Sequence, residues 1–237
     1  MVATATRELI LVASCLSSCG SSWGCVRGSG KEIGSVADKV IYPAILMFGG
    51  PGSGKGTQGV VLGQMPNLEH LAMGDIFRAL DTQSDIGEEF LSYSTKGLLV
   101  PDELTVRVFR RHIEQRVHNC TIVPDYHTLI LDGIPRTTRQ VALLADFIDV
   151  KRIVHLVMDD KDALVARLMN RAKKSNRPDD AERPVIENRI EVYERETKPV
   201  LEAYHKKFIA RVNADQHPLA VLRDICDCLI DVVTPKL

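Results

Sequence analysis

Five glycines, a lysine and a threonine are concentrated in residues 49–57, directly after a short apolar run at residues 44–48. The first glycine, four further residues, Gly54 and Lys55 match the pattern of a phosphate-binding loop. Glycine lets the backbone turn with positive φ, so that several amide N–H groups converge on one anion, and a lysine adds a point charge. A helix predicted from Gly54 to about Leu62 would direct its positive end at the same anion. This order favours a phosphate site over a plain glycine-rich coil.

Asp132 follows a second apolar run, at residues 128–131, and precedes Gly133 and Arg136. Ligands of parallel sheets bind beyond the carboxyl ends of the strands, so we expect this segment to face the phosphate loop. A carboxylate in that place can hold the waters around Mg²⁺, and an arginine offers a planar fork to a phosphate. The alternative is a strand-end turn with a surface salt bridge.

Further charged side chains stand near predicted helices. Asp75 and Arg78 lie in the first turns of one helix, and Arg171, Arg177 and Arg189 follow later in the chain. Arginine side chains can bind phosphate groups through their planar fork and stabilise negative charge. Taken alone, the first pair fits a capped helix with a solvated arginine equally well, and the later arginines fit a solvated run of charges.

Strands and helices alternate from about residue 43, which predicts an α/β domain with a parallel sheet covered on both faces. The predicted strands are residues 44–48, 68–71, 128–131, 153–158 and 208–213. The predicted helices are residues 54–62, 74–80, 86–95, 102–116, 138–147, 160–170, 185–205 and 219–232. Pro199 should kink or split the seventh helix, because proline has no N–H to donate.

The composition excludes several classes of protein. The 237 residues are 45% apolar and carry a net charge of −1, so no global basic field indicates nucleic acid as a partner. The sequence contains no apolar run near the roughly 20 residues that span a bilayer, so we expect no membrane association. Six cysteines in a chain of this length do not indicate a disulfide scaffold.

Residues 1–42 differ from the rest in being rich in serine, glycine and other small residues. Three interpretations stay open: a disordered extension or an upstream start codon, an organellar transit peptide, and a lipoprotein signal around Cys15. We predict one catalytic domain over residues 43–237. We expect a cytoplasmic protein, or import into a plastid or mitochondrion if the leader is a transit peptide.

The order Gly-Lys-Gly-Thr-Gln at residues 54–58 and the segment Asp-Gly-Ile-Pro-Arg-Thr at residues 132–137 resemble the adenylate kinases among the nucleoside monophosphate kinases. The resemblance covers residues 43–237. It implies a three-layer fold like that of the P-loop NTPases, with helices on both faces of a parallel sheet. It also implies a small helical acceptor-binding insertion at about residues 72–101 and a short lid at about residues 171–182.

The resemblance implies a monomer that transfers a phosphoryl group from ATP to AMP with Mg²⁺. The implied ATP-binding residues are Gly50, Pro51, Gly52, Ser53, Gly54, Lys55, Gly56, Thr57, Arg171 and Gln216. The implied AMP-binding residues are Met73, Arg78, Leu99, Val100, Gly133, Arg136, Gln140, Arg177 and Arg189. The implied catalytic residues are Lys55, Asp132, Arg136, Arg171, Arg177 and Arg189, with Asp75 and Asp132 holding the metal through water.

Two features bear on the acceptor base. Ala72 and Met73 stand where the family has Ser-Thr, which removes a hydroxyl from the acceptor site, whereas Gln140 is the residue type that reads adenine in adenylate kinases. The alternatives are therefore a UMP/CMP or broad-specificity nucleoside monophosphate kinase and, in a different class, a catalytically silent nucleotide sensor. A silent sensor should have lost the lysine or the arginines, and this chain keeps them.

Overall fold

The computed structural model describes residues 40–175 and 182–233. The strands within those ranges are β1 Tyr42–Gly49, β2 Leu68–Ala72, β3 Thr128–Asp132, β4 Ile148–Val157 and β5 Ile209–Asn213. They form one sheet in the order β2-β3-β1-β4-β5, and all four neighbouring pairs are parallel. The predicted parallel sheet is confirmed, and β1 begins two residues before the expected start at Ala44.

Helices fill the connections between these strands. They are α1 Lys55–Leu62, α2 Met73–Arg78, α3 Asp85–Ser94, α4 Asp102–His118, α5 Thr138–Leu144, α6 Lys161–Ser175, α7 Arg183–Val192 and α8 Pro218–Val233. A π-helical turn at Tyr193–Thr197 and 3-10 turns at Lys198–Ala203 and Lys206–Phe208 lie between α7 and β5. Among the residues that the structure describes, no helix combines the length and the apolarity needed to cross a bilayer.

Successive residues of β1 point into two separate cores, because side chains of a strand alternate between the faces of the sheet. Leu46 belongs to the core that contains Phe109 of α4. Ile45 belongs to the other core, which contains Leu62 of α1 and Ile225 of α8. Helices therefore cover both faces, and the predicted three-layer architecture is confirmed.

The connection from α5 to β4 differs from the prediction. α5 ends at Leu144 and β4 begins at Ile148, whereas the pattern predicted a helix to residue 147 and a strand from residue 153. Phe147 lies in the intervening turn and is buried. The exposed charges of Asp149 and Lys151 interrupt the first half of β4. Because these charges break the apolar run, the sequence pattern does not predict the first half of β4 as a strand.

Two other helices also end differently from the prediction. The helix predicted over residues 185–205 is divided into α7, the π-helical turn and a 3-10 turn whose second residue is Pro199. The split expected at this proline is confirmed, because proline cannot donate to the carbonyl four residues back. α6 continues to Ser175 instead of ending at residue 170, since no glycine or proline interrupts that segment.

Candidate active site

A cavity of about 960 Å³ lies at the carboxyl ends of β1, β2 and β3. The predicted site residues on its wall are Pro51, Gly52, Ser53, Gly54, Lys55, Gly56, Thr57, Met73, Asp75, Arg78, Leu99, Val100, Asp132, Gly133, Arg136, Gln140, Arg171, Arg189 and Gln216. Gly50 is not part of this wall, and Arg177 lies outside the described residues. The fold thus brings the predicted donor and acceptor residues to one cavity, while their individual roles stay predictions.

The loop between β1 and α1 depends on glycines with positive φ. Gly52 and Gly54 have φ of 83° and 99°, which a residue with a side chain rarely adopts. Gly49 has φ of 149°, and a Cβ atom built there would lie 2.7 Å from the carbonyl oxygen of Leu156. Gly54 is also the N-cap of α1. The loop therefore ends at a helix N-terminus, where main-chain N–H groups favour an anion.

Lys55 reaches back across this loop. Its Nζ donates to the carbonyl oxygens of Gly49 at 2.6 Å and Gly50 at 3.0 Å. Burial in the cavity lowers the pKa of Lys55 to about 8, because a charged ammonium is less stable away from water. An anion bound in the loop would raise this pKa again, because an opposite charge nearby stabilises the ammonium.

The surrounding charges are mostly positive. After burial, the charges that act on the pKa of Lys55 are Asp132, which raises it, and Arg136, Arg171 and Arg189, which lower it. The pKa of Arg136 is itself lowered, first by burial and then by Arg189. Positive charges this close together repel one another, and a bound polyanionic ligand would offset that repulsion.

Asp132 is placed to act close to the phosphate loop. It ends β3 between the ends of β1 and β2. Its Oδ2 atom lies 3.5 Å from a Cβ atom built at Gly56, so the carboxylate faces the first turn of α1. Beyond it, Arg136 donates from Nε to the carbonyl oxygen of Gly133 at 3.0 Å. This contact holds the guanidinium against the turn that follows β3.

A second part of the cavity is lined by α2 and by the segment around Val100. Arg78 donates to Asp75 at 2.5 Å at the polar end of this part. Met73 is buried, with 2% of its surface exposed, and supplies no hydroxyl. The rings of Phe77 and Phe90 stack with centroids 4.8 Å apart and planes 7° apart. The result is an apolar, aromatic slot beside an arginine, which suits a base attached to a phosphate.

Gln140 lies at the start of α5 and is only 2% exposed, although it is part of the cavity wall. Its Oε1 accepts from the main-chain N–H of Arg136 at 2.7 Å, and its Nε2 donates to Oδ1 of Asp102 at 2.8 Å. The main-chain N–H of Gln140 donates to the N-cap hydroxyl of Thr137 at 3.1 Å. Gln140, which we predict contacts the acceptor base, is thus hydrogen-bonded through both the oxygen and the nitrogen of its amide.

Arg167 also belongs to the cavity wall, although no motif in the sequence predicted it there. It lies one turn before Arg171 on α6, and its Nη1 donates to the carbonyl oxygen of Ala214 at 3.2 Å. Gln216 lines the same end of the cavity and donates to Asp224 at 2.6 Å. The spacing of four residues between the two arginines is a signal that could have identified Arg167, since such residues share a helix face.

A buried polar pair beside the phosphate loop was also missed. The hydroxyl of Tyr193 lies 3.2 Å from Nε2 of His155 on β4, and the tyrosine ring lies near Gly50. Burial lowers the pKa of His155 to about 4 and raises the pKa of Tyr193 above its ordinary value. Both side chains are therefore neutral at pH 7. A single histidine in an apolar strand has no local signal for such a partner.

Comparisons with known proteins agree with this geometry. The family model described as adenylate kinase matches residues 47–209. An adenylate kinase of Flavobacterium psychrophilum is 36% identical over 70% of this chain and 87% of its own length. An adenylate kinase of a Synechococcus strain is 32% identical over 80% of this chain and 96% of its own. Adenylate kinase 1 of a Nostoc strain is 33% identical over 76% and 95%. The chain belongs to the adenylate kinase family of phosphotransferases.

Proposed function

We propose that this protein catalyses the reversible, Mg²⁺-dependent transfer of a phosphoryl group from ATP to AMP, producing two molecules of ADP. One observation carries the proposal: the phosphate loop and the arginine-flanked aromatic slot open into the same cavity. Transfer between two nucleotides needs both to be bound in one site, with their phosphates facing each other.

The donor side would hold ATP through the loop and its helix. The main chain of residues 50–57 would surround the β- and γ-phosphates, and Lys55 would leave the loop carbonyls to contact them. Arg171 would contact the donor phosphates. Gln216 stands beside the position proposed for the donor base, and Arg167 extends the same wall.

The acceptor side would hold AMP through charge at one end and the slot at the other. Arg78 and Arg136 would bind its phosphate, with Arg177 and Arg189 nearer to the group in transfer. The base would lie against Met73, Leu99, Val100 and Gly133, and Gln140 would read its edge.

We propose that Mg²⁺ binds together with ATP, with Asp75 and Asp132 contacting its waters. Within residues 40–175 and 182–233, no three His, Cys, Asp or Glu side chains are grouped in a way that could hold a metal ion. Mg²⁺ suits a site with only two carboxylates, because it usually keeps several waters and binds one or two carboxylates together with substrate phosphates. When bound, it would neutralise negative charge on the phosphates.

The chain's own residues would act by positioning and charge stabilisation. The cavity brings together positive charges that act on one another, those of Lys55, Arg136, Arg171 and Arg189. These charges would stabilise the negative charge that develops on the transferred group. No general base is required, since the acceptor phosphate is already ionised at neutral pH. The insertion at about residues 72–101 and the lid at about residues 171–182 stay predictions.

A panel of acceptors tests the proposal. Steady-state rates of ADP formation should be measured with ATP, Mg²⁺ and each of AMP, UMP, CMP, GMP and dAMP, and we expect AMP to give the highest kcat/KM. A highest value for UMP would instead support the pyrimidine kinase interpretation that Met73 leaves open. Binding of ATP without any ADP formation would support a nucleotide sensor.

We propose further that one chain suffices for activity, because both subsites belong to it, and that residues 1–40 are not needed. A variant that begins at Ile41 should keep the kcat of the full chain and elute as a monomer. Loss of activity in this variant would contradict the second statement, and activity found only in a larger oligomer would contradict the first. N-terminal sequencing of the native protein tests the cytoplasmic location, since cleavage near residue 40 would indicate import into an organelle.

A further inference from the structure

The side-chain amide of Gln140 is held by two partners of opposite kind. The main-chain N–H of Arg136 donates to Oε1 at 2.7 Å, and Nε2 donates to the Asp102 carboxylate at 2.8 Å. A peptide N–H can only donate, and an ionised carboxylate can only accept. The amide of a glutamine is otherwise nearly symmetric in shape and can rotate by 180° to exchange its oxygen and nitrogen.

In the rotated orientation, both contacts would become unfavourable. The amide nitrogen would face the N–H of Arg136, and the amide oxygen would face the carboxylate of Asp102. Because the side chain is 2% exposed, water has little access to relieve either mismatch. One orientation of the amide is therefore strongly favoured.

The two hydrogen bonds use one N–H and one lone pair of the amide, so one of each remains. A 6-amino purine offers a donor at N6 beside an acceptor at N1, which matches an oxygen beside an N–H. A 6-oxo purine reverses this pattern, with an acceptor at position 6 and a donor at N1. A freely rotating glutamine could read either pattern, whereas a fixed one reads a single pattern.

We propose that Asp102 is a specificity-determining positioning residue, which fixes the amide of Gln140 so that the acceptor site selects 6-amino over 6-oxo purine nucleoside monophosphates. This inference rests on the proposed function, in which Gln140 faces the acceptor base. Asp102 is the first residue of α4 and is not part of the cavity wall, so it acts through Gln140 and not by touching the nucleotide.

The experiment compares AMP with IMP, which differ at the purine edge by the exchange just described. Asp102→Asn keeps the shape of the side chain but can both donate and accept, so one of the two constraints on the amide is removed. We expect the ratio of kcat/KM for AMP to that for IMP to fall about 10-fold. The change should lie in KM, with kcat for AMP altered by no more than about twofold.

Glu103→Gln is the matched control. Glu103 is the next residue of α4 and is exposed, and it pairs with Arg139 at 3.2 Å and not with Gln140. This variant should leave the AMP-to-IMP ratio unchanged. Gln140→Ala should lower the ratio, and adding Asp102→Asn to it should produce no further fall, because the positioned group is already absent.

An unchanged ratio in Asp102→Asn, together with a lowered ratio in Gln140→Ala, would overturn the inference. A further fall in the double variant would do the same, since Asp102 would then act independently of Gln140. Absence of AMP phosphorylation by the wild-type protein would instead refute the proposed function. If Asp102→Asn melts below the assay temperature, Asp102→Ser replaces it, with the same expected fall and the same contradicting result.

Discussion

The two sides of the cavity recognise ligands by different means. The donor side is formed by main chain: glycines with positive φ, a helix N-terminus and a lysine bonded to loop carbonyls. The acceptor side is formed by side chains, such as the stacked pair of Phe77 and Phe90 and the amide of Gln140. A main-chain cradle binds phosphate, which all nucleotides share, whereas a side-chain network can distinguish one base from another.

This difference predicts that substitutions on the donor side and on the acceptor side will have different effects. Substitutions on the donor side should reduce turnover or stability without altering the choice of acceptor base. Substitutions of the side chains that would contact the acceptor base should alter base preference at little cost in turnover. The following experiments test that separation.

Lys55→Met should have the largest effect on the donor side. Lys55→Met removes the ammonium that we propose contacts the β- and γ-phosphates of ATP. The value of kcat/KM for AMP phosphorylation should therefore fall about 10³-fold. Lys206→Met, at an exposed lysine of a 3-10 turn, is the control and should be unaffected. A loss in Lys55→Met below about 10-fold would contradict the role assigned to this lysine.

Gly49→Ala and Gly54→Ala compare backbone strain with and without a steric clash. A Cβ atom at Gly54 meets no heavy atom within 4 Å, so this change should cost only the strain of its positive φ, about 1 kcal/mol of unfolding free energy. A Cβ atom at Gly49 lies 2.6 Å from Oγ of Ser53 and 2.7 Å from the carbonyl oxygen of Leu156, so the cost there should be about 3 kcal/mol. Urea unfolding measures both costs.

Neither glycine variant should change the AMP-to-IMP ratio of kcat/KM. A shift of that ratio in either variant would show that the donor loop and the acceptor base are coupled. The proposed separation of the two sides would then be wrong.

His155 should make the wall beside the donor loop sensitive to acid. Its pKa is about 4 in the folded protein and near 6.5 when unfolded, so the unfolded chain binds the proton first as the pH falls. Its contribution to stability is complete above about pH 6.5 and is lost as the pH falls towards 4. Between pH 7 and about pH 4.5, the wild-type protein should lose roughly 2 kcal/mol more than a variant without this histidine.

The matched variant is His155→Leu combined with Tyr193→Phe, which removes both members of the pair and leaves neither unpaired. Urea unfolding at the two pH values measures the difference. Equal losses in the two proteins would show that His155 does not contribute to the acid sensitivity of the fold.

Met73→Thr should have the smallest effect and tests the acceptor side. A hydroxyl at this position of the cavity wall could bond the acceptor base, so KM for AMP should fall about fivefold with kcat unchanged. Loss of the buried methionine should lower the unfolding free energy by about 2 kcal/mol. Leu219→Thr, at an exposed leucine of α8, is the control. An unchanged or higher KM for AMP would contradict a direct contact between residue 73 and the base.

The sequence alone determined the parts of this protein that depend on local patterns. Glycine spacing in residues 49–57 specified the phosphate loop, because only glycine adopts its backbone angles easily. Continuous apolar runs identified β1, β3 and the second half of β4, because strands buried on both faces need continuous apolar residues. Asp132 was predicted to face this loop, because the ends of neighbouring parallel strands meet at one edge of the sheet.

Tertiary structure alone decided the contacts between segments that are distant in the chain. Gln140 meets Asp102, and Tyr193 meets His155, each across 38 positions of the sequence. The first half of β4 is a strand because it pairs with β1, although its exposed charges hide that pattern. Residue types alone do not reveal such a partner. The contact is favourable only once the packed elements bring the two groups together and exclude water from them.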